Sequence, residues 1–338
     1  MAGFMVFACL PGGLLLGAAT WGGGWIWAAL IWMGGASQAV DGAVARAFAD
    51  PDGQSAPGGA NALSIALALL HFLLMALGLR ALATGGLGAA QGLALFLALG
   101  LFFGQVSNAN AHELIHRPSR LLFRLGAAVY VSLLFGHHAS AHRLVHHRHV
   151  ATSADPNSAR LGEGFWRFFP RAWIGSFHKG LRAENARMAR RPRWRHPYLA
   201  WVGGGAGVAL AVVLTLGARG LACWLGLCLY AQMQLLLSDY VQHYGLLRER
   251  VGNGYEPAGP RHSWDAPHFL SSLMMVNAPR HSDHHANPMR PFPDLRLNRK
   301  SDPRPMLPYA LPVMAAIATV PPLWRRVMDR RVARMRAN

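Results

Sequence analysis

Pro279-Arg280-His281-Ser282-Asp283-His284-His285-Ala286-Asn287-Pro288 sets three histidines at positions i, i+3 and i+4. On a helix those positions share one face, so His281, His284 and His285 can aim three imidazoles at one point. A single trio of this kind reads equally well as a solvated helix face. The reading changes because the chain repeats it, with His112 and His116, then His142, His146 and His147, then His243 within Tyr240-Val241-Gln242-His243-Tyr244-Gly245. Nine histidines in four places point to metal ligation, since imidazole is the commonest metal ligand. His142 and His146 share a helix face and His147 lies one residue round, so that trio can divide between two metals or chelate one.

Around these clusters the sequence is apolar. Of 338 residues, 52 % are hydrophobic and 14 % charged, less charge than a soluble globule carries on its surface. The chain therefore reads as an all-α integral membrane protein. Residues 1–40 carry no charged side chain, with Gly22-Gly23-Gly24 as a hairpin between two short spans, and uncharged runs follow at 59–79, 81–111, 197–218 and 220–238. Each run is close to the ~20 residues a helix needs to cross hydrocarbon, which gives about six transmembrane helices. The N-terminus has no basic leader or small-residue cleavage site and reads as a retained first span. The expected organisation is four transmembrane helices in 1–106, a His-cluster region with membrane-surface helices in 107–196, two more spans in 197–238, and a second His-cluster region with a basic tail in 239–338.

The formal net charge of +18 is localised. Arg160 through Arg195 is basic and Trp-containing, and Arg325, Arg326, Arg330, Arg331, Arg334 and Arg336 form a basic tail, whereas only Arg80 and Arg219 mark the opposite hairpins. The positive-inside rule explains this distribution without a nucleic-acid partner, and it places both termini and the histidines in the cytoplasm, as in a bacterial inner membrane. Phe165, Trp166, Phe168, Phe169 and Trp173 read as an interfacial aromatic belt. Cys9, Cys223 and Cys228 have no paired spacing, which excludes a zinc ribbon or a built-in iron-sulfur module.

Residues 121–136 lie between two clusters that must meet at one centre, so a helix dipping into the cytoplasmic leaflet is expected there rather than a crossing. The apolar stretch 306–323 holds Pro308, Pro312, Pro321 and Pro322 and suits an interfacial element. His149 reads as solvated, His137 as a supporting residue, His262 and His268 as weak ligand candidates, and His71, His178 and His196 as structural. His112-Glu113-x-x-His116 also matches a zinc protease box, with Glu113 as general base. That alternative leaves at least six clustered histidines without a role.

Asn110 through Arg117, His142-x-x-x-His146-His147 followed by Val150-Ala151-Thr152 and Asp155-Pro156, Tyr240 through Leu246, and Arg280 through Pro288 together resemble the membrane-bound alkane 1-monooxygenases (alkane hydroxylases), within the wider membrane fatty acid desaturase and hydroxylase group. The resemblance implies a cytoplasmic histidine-rich diiron domain. It implies two non-haem iron ions held by His112, His116, His142, His146, His147, His243, His281, His284 and His285. It also implies hydroxylation of the terminal methyl of a medium-chain alkane by dioxygen, with electrons from rubredoxin and its reductase. Glu113, Asp239 and Asp283 are expected to orient imidazoles by accepting their second N–H. The chain departs from the family pattern at Ala141, Asp239, Gln242 and Leu307-Pro308-Tyr309-Ala310, which keeps an alkyl-aromatic (xylene-type) hydroxylase or an acyl desaturase open as alternatives. The substrate is expected in a channel whose depth Trp25, Trp27, Trp32 or Phe102 sets.

Overall fold

The structure is a computed structural model that describes residues 1–44, 57–84, 86–297 and 304–337. Within them the protein is mostly helical, with one two-stranded hairpin at Arg250–Val251 and Gly254–Tyr255. Four helices are long and apolar enough to cross a membrane: Ala2–Trp21, Gly59–Ala83, Ala89–Ile115 and Pro197–His243. Residues 24–44 form a further continuous helix with a π turn at Trp32–Ala36, but its last turns carry Gln38 and Asp41 and it is not among the four. Helix runs to Val44 and is present again from Pro57; residues 45–56 lie outside the described residues.

Glycines make the two sharp reversals. Gly22 and Gly23 have φ of 65° and 57°, where a Cβ would clash, and they turn the first helix back on the second. Gly217, at φ 65° and ψ −167°, breaks the 47-residue helix. Gly204 and Gly205 pack on Val131 and Leu134, while Trp224 Nε1 donates to the Ser132 carbonyl at 2.9 Å. A straight helix would hold residues 205 and 224 about 28 Å apart, so their common neighbour shows that the chain folds back at Gly217.

The shorter elements gather where the long helices end. Arg120–Ser132, capped by the Ser119 side chain, has 13 residues and is too short to span a bilayer. Leu311–Ala318 has 8 residues and is likewise too short. The basic tail is the helix Pro321–Ala337, whose Trp324, Met328 and Val332 are fully buried at i, i+4 and i+8, with Trp324 packed on Tyr240 and Tyr244 at 5.3 Å. The aromatic belt divides: Trp166 and Trp173 are exposed, whereas Phe165 and Phe168 are core and pack on Tyr240. Their helix, Phe165–Met188, leans on the end of the last long helix and turns every third or fourth residue inward.

Asp41 supplies a long-range tie. Its buried carboxylate accepts from the Leu270 amide at 2.7 Å and the Ser271 amide at 3.3 Å, capping the helix Phe269–Met274. Phe4 meets Phe292 edge-on at 4.9 Å beside it. His71 is structural as expected, bridging Ser107 at 3.0 Å and Ser132 at 2.8 Å inside the bundle.

Candidate metal centre

Four segments deliver the histidines to one place. The helix ending at Ile115 presents His112 and His116, the long helix ends at His243, His281–Ala286 forms a short helix of its own, and 138–149 is helical with a π turn over His142–His146. That π turn decides how the middle trio is used. In an α-helix His142 and His146 would lie together, but the wider turn stacks residues five apart and sets His142 beside His147. His142 Nε2 is 2.9 Å from His147 Nε2 and 2.7 Å from His112 Nε2, and His147 Nε2 is 3.1 Å from His284 Nε2.

Two groups of ring nitrogens result. One comprises His112, His116, His142, His147 and His284; the other comprises His146, His243, His281 and His285, with all ligand atoms in each within 4.8 Å of one another. In the second group His281 Nε2 lies 3.0 Å from His243 Nε2 and 3.1 Å from His285 Nε2. The trio at 142–147 is thus divided between groups rather than chelating one point.

The donor set fits metal ions. Burial, reinforced by neighbouring imidazoles, pushes His142, His147, His281, His284 and His285 well below the ordinary histidine range, so the rings are neutral and keep a lone pair. A neutral ring has one N–H, and five nitrogens converging on one point cannot all be satisfied by sharing protons. His146 spends Nδ1 on the Asp155 carboxylate at 2.8 Å, leaving Nε2 with no hydrogen-bond partner among the described residues. Burial alone would lower His146, but the Asp155 carboxylate reverses the shift and holds it above its usual value. His243 likewise donates Nδ1–H to the His262 carbonyl at 3.2 Å and keeps Nε2 for the group.

The acidic residues are placed differently from expectation. Glu113 accepts from Arg117 and from the Phe292 amide at 3.0 Å, not from an imidazole, so it pins the segment after the last cluster. This also removes it from the position a protease base would need. Asp283 accepts from Arg290 at 2.7 Å, Asn287 at 3.1 Å and the Arg296 amide at 2.9 Å. Asp239 accepts from Asn157 at 2.6 Å. The carboxylate that orients a clustered imidazole is Asp155, which enters the sequence reading only as part of the motif after the second cluster, with no role attached. Asp265, pushed up to about 6 by burial, accepts from the Ser282 amide at 2.8 Å and fixes the start of the His281 helix.

The remaining histidines stay outside the groups. His149 is exposed, His262 pairs with Glu256 at 3.0 Å, and His196 caps Tyr198 through Nδ1. His137 lies between Phe135 and Phe177, away from the ligating nitrogens. Ala141 sits where a close neighbour leaves little room, against Gly180 of the helix Phe165–Met188.

A cavity of about 240 Å³ opens beside both groups. Its upper wall includes His112, His142 and His281, and its lower wall is made by Leu101, Tyr230, Met233 and Gln234, with Leu311, Pro312 and Ala315 closing one side. The stretch 306–323 thus serves as a cavity wall. Trp25, Trp27, Trp32 and Phe102, expected to set the depth, are absent from the lining: Trp25 and Trp27 are exposed on the outer surface and Phe102 is buried in the core. Tyr230 reaches this wall because Gly100 opposite it has no side chain, and an added Cβ there would meet the Tyr230 ring at 2.1 Å.

Comparison with known proteins agrees with this geometry. The family described as fatty acid desaturase matches residues 88–317. The chain is 34 % identical over 241 residues to alkane 1-monooxygenase 2 of Pseudomonas aeruginosa, covering 70 % of this chain and 63 % of that protein. It is 32 % identical over 244 residues to alkane 1-monooxygenase of Acinetobacter baylyi, covering 70 % and 59 %. The xylene/toluene monooxygenase hydroxylase component XylM of Pseudomonas putida is 24 % identical over 228 residues, covering 63 % and 57 %. The chain thus spans about three fifths of the length of the curated relatives it matches.

Proposed function

The chain belongs to the fatty acid desaturase family, where its similarity is to the alkane hydroxylases, and we propose that it is a membrane diiron monooxygenase hydroxylating the terminal methyl of a medium-chain alkane or similar alkyl group. The observation that carries this reading is the position of the cavity. An apolar tunnel whose one end is walled by His112 and His142 of one nitrogen group and His281 of the other brings a chain terminus to both groups at once.

The ligands in this reading are His112, His116, His142, His147 and His284 for one iron and His146, His243, His281 and His285 for the other. Once bound, two irons supply the two-electron activation of dioxygen that an unactivated C–H bond requires and that side-chain acid-base chemistry does not provide. The chain's own part is geometric. Asp155 and the His262 carbonyl fix the rings of His146 and His243, so that Nε2 rather than Nδ1 is offered. Leu101, Met233 and Ala315 hold an alkyl chain in the apolar part of the cavity and restrict it to an end-on approach. The three cysteines are scattered and unpaired, which supports a separate protein as electron source, and the similarity to the alkane hydroxylases makes rubredoxin with its reductase that source in this reading. Six spans, counting residues 24–44 and the two halves of the helix broken at Gly217, would place the termini, the basic helices and the metal centre on the cytoplasmic side of an inner membrane.

The test is metal content of the detergent-purified protein beside dioxygen consumption with octane and reduced rubredoxin. Two irons per chain and octanol as product are expected. An octene would indicate desaturation, a methylbenzyl alcohol formed only from xylene would move the substrate to alkyl-aromatics, and a single zinc with no oxygen uptake would overturn the proposal.

A further inference from the structure

A second opening lies on the outer face of the bundle, between the helices Gly59–Ala83 and Pro197–His243 and the short helix Arg120–Ser132. It is a groove of about 780 Å³, against about 240 Å³ for the cavity beside the histidines, and the two share no lining residue. Ala76, Ala128 and Ala211 in its wall are exposed. Along one helix the wall runs from Ala200 to Leu216, about 24 Å at 1.5 Å per residue. That is most of the ~30 Å hydrocarbon core, and more than the half that one leaflet occupies.

The middle of the groove suits a hydrocarbon. Its neutral polar side chains are engaged within the protein: Ser132 Oγ donates to the Val129 carbonyl at 2.7 Å, Thr215 Oγ1 to the Ala211 carbonyl at 2.7 Å, and Trp201 Nε1 to Ser140 Oγ at 3.0 Å. Two arginines complete the lining, Arg80 and Arg124, and among the described residues neither meets a carboxylate or a hydrogen-bond acceptor.

The arginines stand at opposite ends. Gly126 packs on Ala111 and Leu114, so Arg124, two residues earlier, lies level with the His112–His116 turn. The helix Gly59–Ala83 runs away from that level, with Ser64 bonded to Asn110 and His71 bonded to Ser107 and Ser132. Arg80 lies nine residues past His71, about 13 Å further out. It is a single charge in the last turn of its helix, where the dipole already favours a cation. Arg124 differs, because Arg120 one turn before it is also exposed and no acidic residue stands in the first turn of their helix. Like charges at i and i+4 repel, and the start of a helix disfavours cations. Two uncompensated guanidinium groups at the mouth of an apolar groove are complementary to an anion that carries a hydrocarbon chain.

We propose that this groove binds one anionic phospholipid, its phosphodiester at Arg124 and Arg120 and an acyl chain laid past Val208 and Ala211. The inference rests on the membrane-crossing helices and not on the hydroxylase reading. The bound lipid pins the helix Arg120–Ser132, which backs the helix that carries His112 and His116.

Native mass spectrometry of the delipidated, detergent-purified chain tests it, with dioleoylphosphatidylglycerol or dioleoylphosphatidylcholine titrated in and the unfolding midpoint of each lipid-free variant read alongside to establish folding. Wild type is expected to retain one phosphatidylglycerol, more tightly than phosphatidylcholine. Arg124→Gln should weaken phosphatidylglycerol about fivefold, and the double substitution Arg120→Gln with Arg124→Gln on the order of 25-fold. Arg124→Lys should keep most of the affinity, and Arg80→Gln all of it. Ala211→Phe fills the groove and leaves both arginines, so it should weaken both lipids alike. Equal affinity of wild type for the two lipids, or as large a loss in Arg80→Gln as in Arg124→Gln, overturns the inference. So does unchanged retention in Ala211→Phe. Oleate bound as tightly as phosphatidylglycerol would make a free fatty acid the occupant and likewise overturn it.

Discussion

At the scale of residues, the nine histidines differ in what holds them, and the difference is measurable. Asp155 touches His146 alone among the grouped imidazoles. Asp155→Asn keeps the shape of the carboxylate but loses its charge, and loss of such a ligand-orienting partner typically weakens metal affinity about 10–100-fold. Iron retained per chain after graded chelator challenge should fall in that variant and stay near wild type in His149→Ala, whose ring is exposed. Acid sensitivity follows from the same neutral rings. His142, His147, His281, His284 and His285 have folded values below their unfolded one, so the unfolded state binds protons first as pH falls. Stability of the metal-free protein is therefore full above about pH 6.5 and falls as the pH drops below it, because the unfolded rings take up protons that the buried ones do not. Thermal unfolding at pH 7.5 and 5.5 after iron removal reads this directly, and a midpoint that does not fall would contradict the burial of these rings. The histidines were legible in the sequence because they cluster at helical spacing. Asp155 was not, because it acts from a turn nine residues past its partner, and Glu113 was misassigned because adjacency to His112 along the chain says nothing about which way a helical side chain points.

At the scale of elements, backbone irregularities do the positioning. The π turn at His142–His146 assigns His142 and His147 to one group and His146 to the other, an outcome that counting residues at 3.6 per turn could not reach. The break at Gly217 is nearer to what composition shows, since the two uncharged runs met at Arg219. Its φ of 65° with ψ of −167° is a region essentially confined to glycine. Gly217→Ala should therefore destabilise the fold by roughly 1–3 kcal/mol, visible as a lower unfolding midpoint in detergent with iron stoichiometry preserved in the folded fraction. The same substitution at Gly207, whose surroundings are open and whose backbone is helical, should leave the midpoint near wild type or raise it slightly. The helix Leu311–Ala318 was read correctly as too proline-rich to cross, but its service as a cavity wall depends on which neighbour it meets, and no local pattern encodes that.

For the whole molecule, the class was plain from long uncharged runs, while the interior surface was not. Tryptophans attract attention as candidates for setting cavity depth, yet Trp25 and Trp27 are exposed while Tyr230 lines the cavity where Gly100 makes room. Volume inside a helical bundle is set by pairs of residues from different helices, which a single strand of text does not pair. The nitrogen groups also join four segments, and one ring contact, His112 with His284 at 4.4 Å, links positions 112 and 284. An ion present at a thousand times its dissociation constant would add about 4 kcal/mol to the folded state, so chelation should lower the unfolding midpoint markedly and re-addition of ferrous iron should restore it. Unaltered midpoints would mean that the nitrogen groups hold no structural metal. The tie between Asp41 and the amides of Leu270 and Ser271 spans 229 residues or more, and the contact of Phe4 with Phe292 spans still more of the chain. Synthesis proceeds from the N-terminus, so the first helices must wait, with these partners missing, until residues 270–292 have been made. Such non-local closure is slow. His281, His284 and His285 lie between those late contacts, so neither nitrogen group can be complete until that part of the chain has been made and has closed onto the first helices.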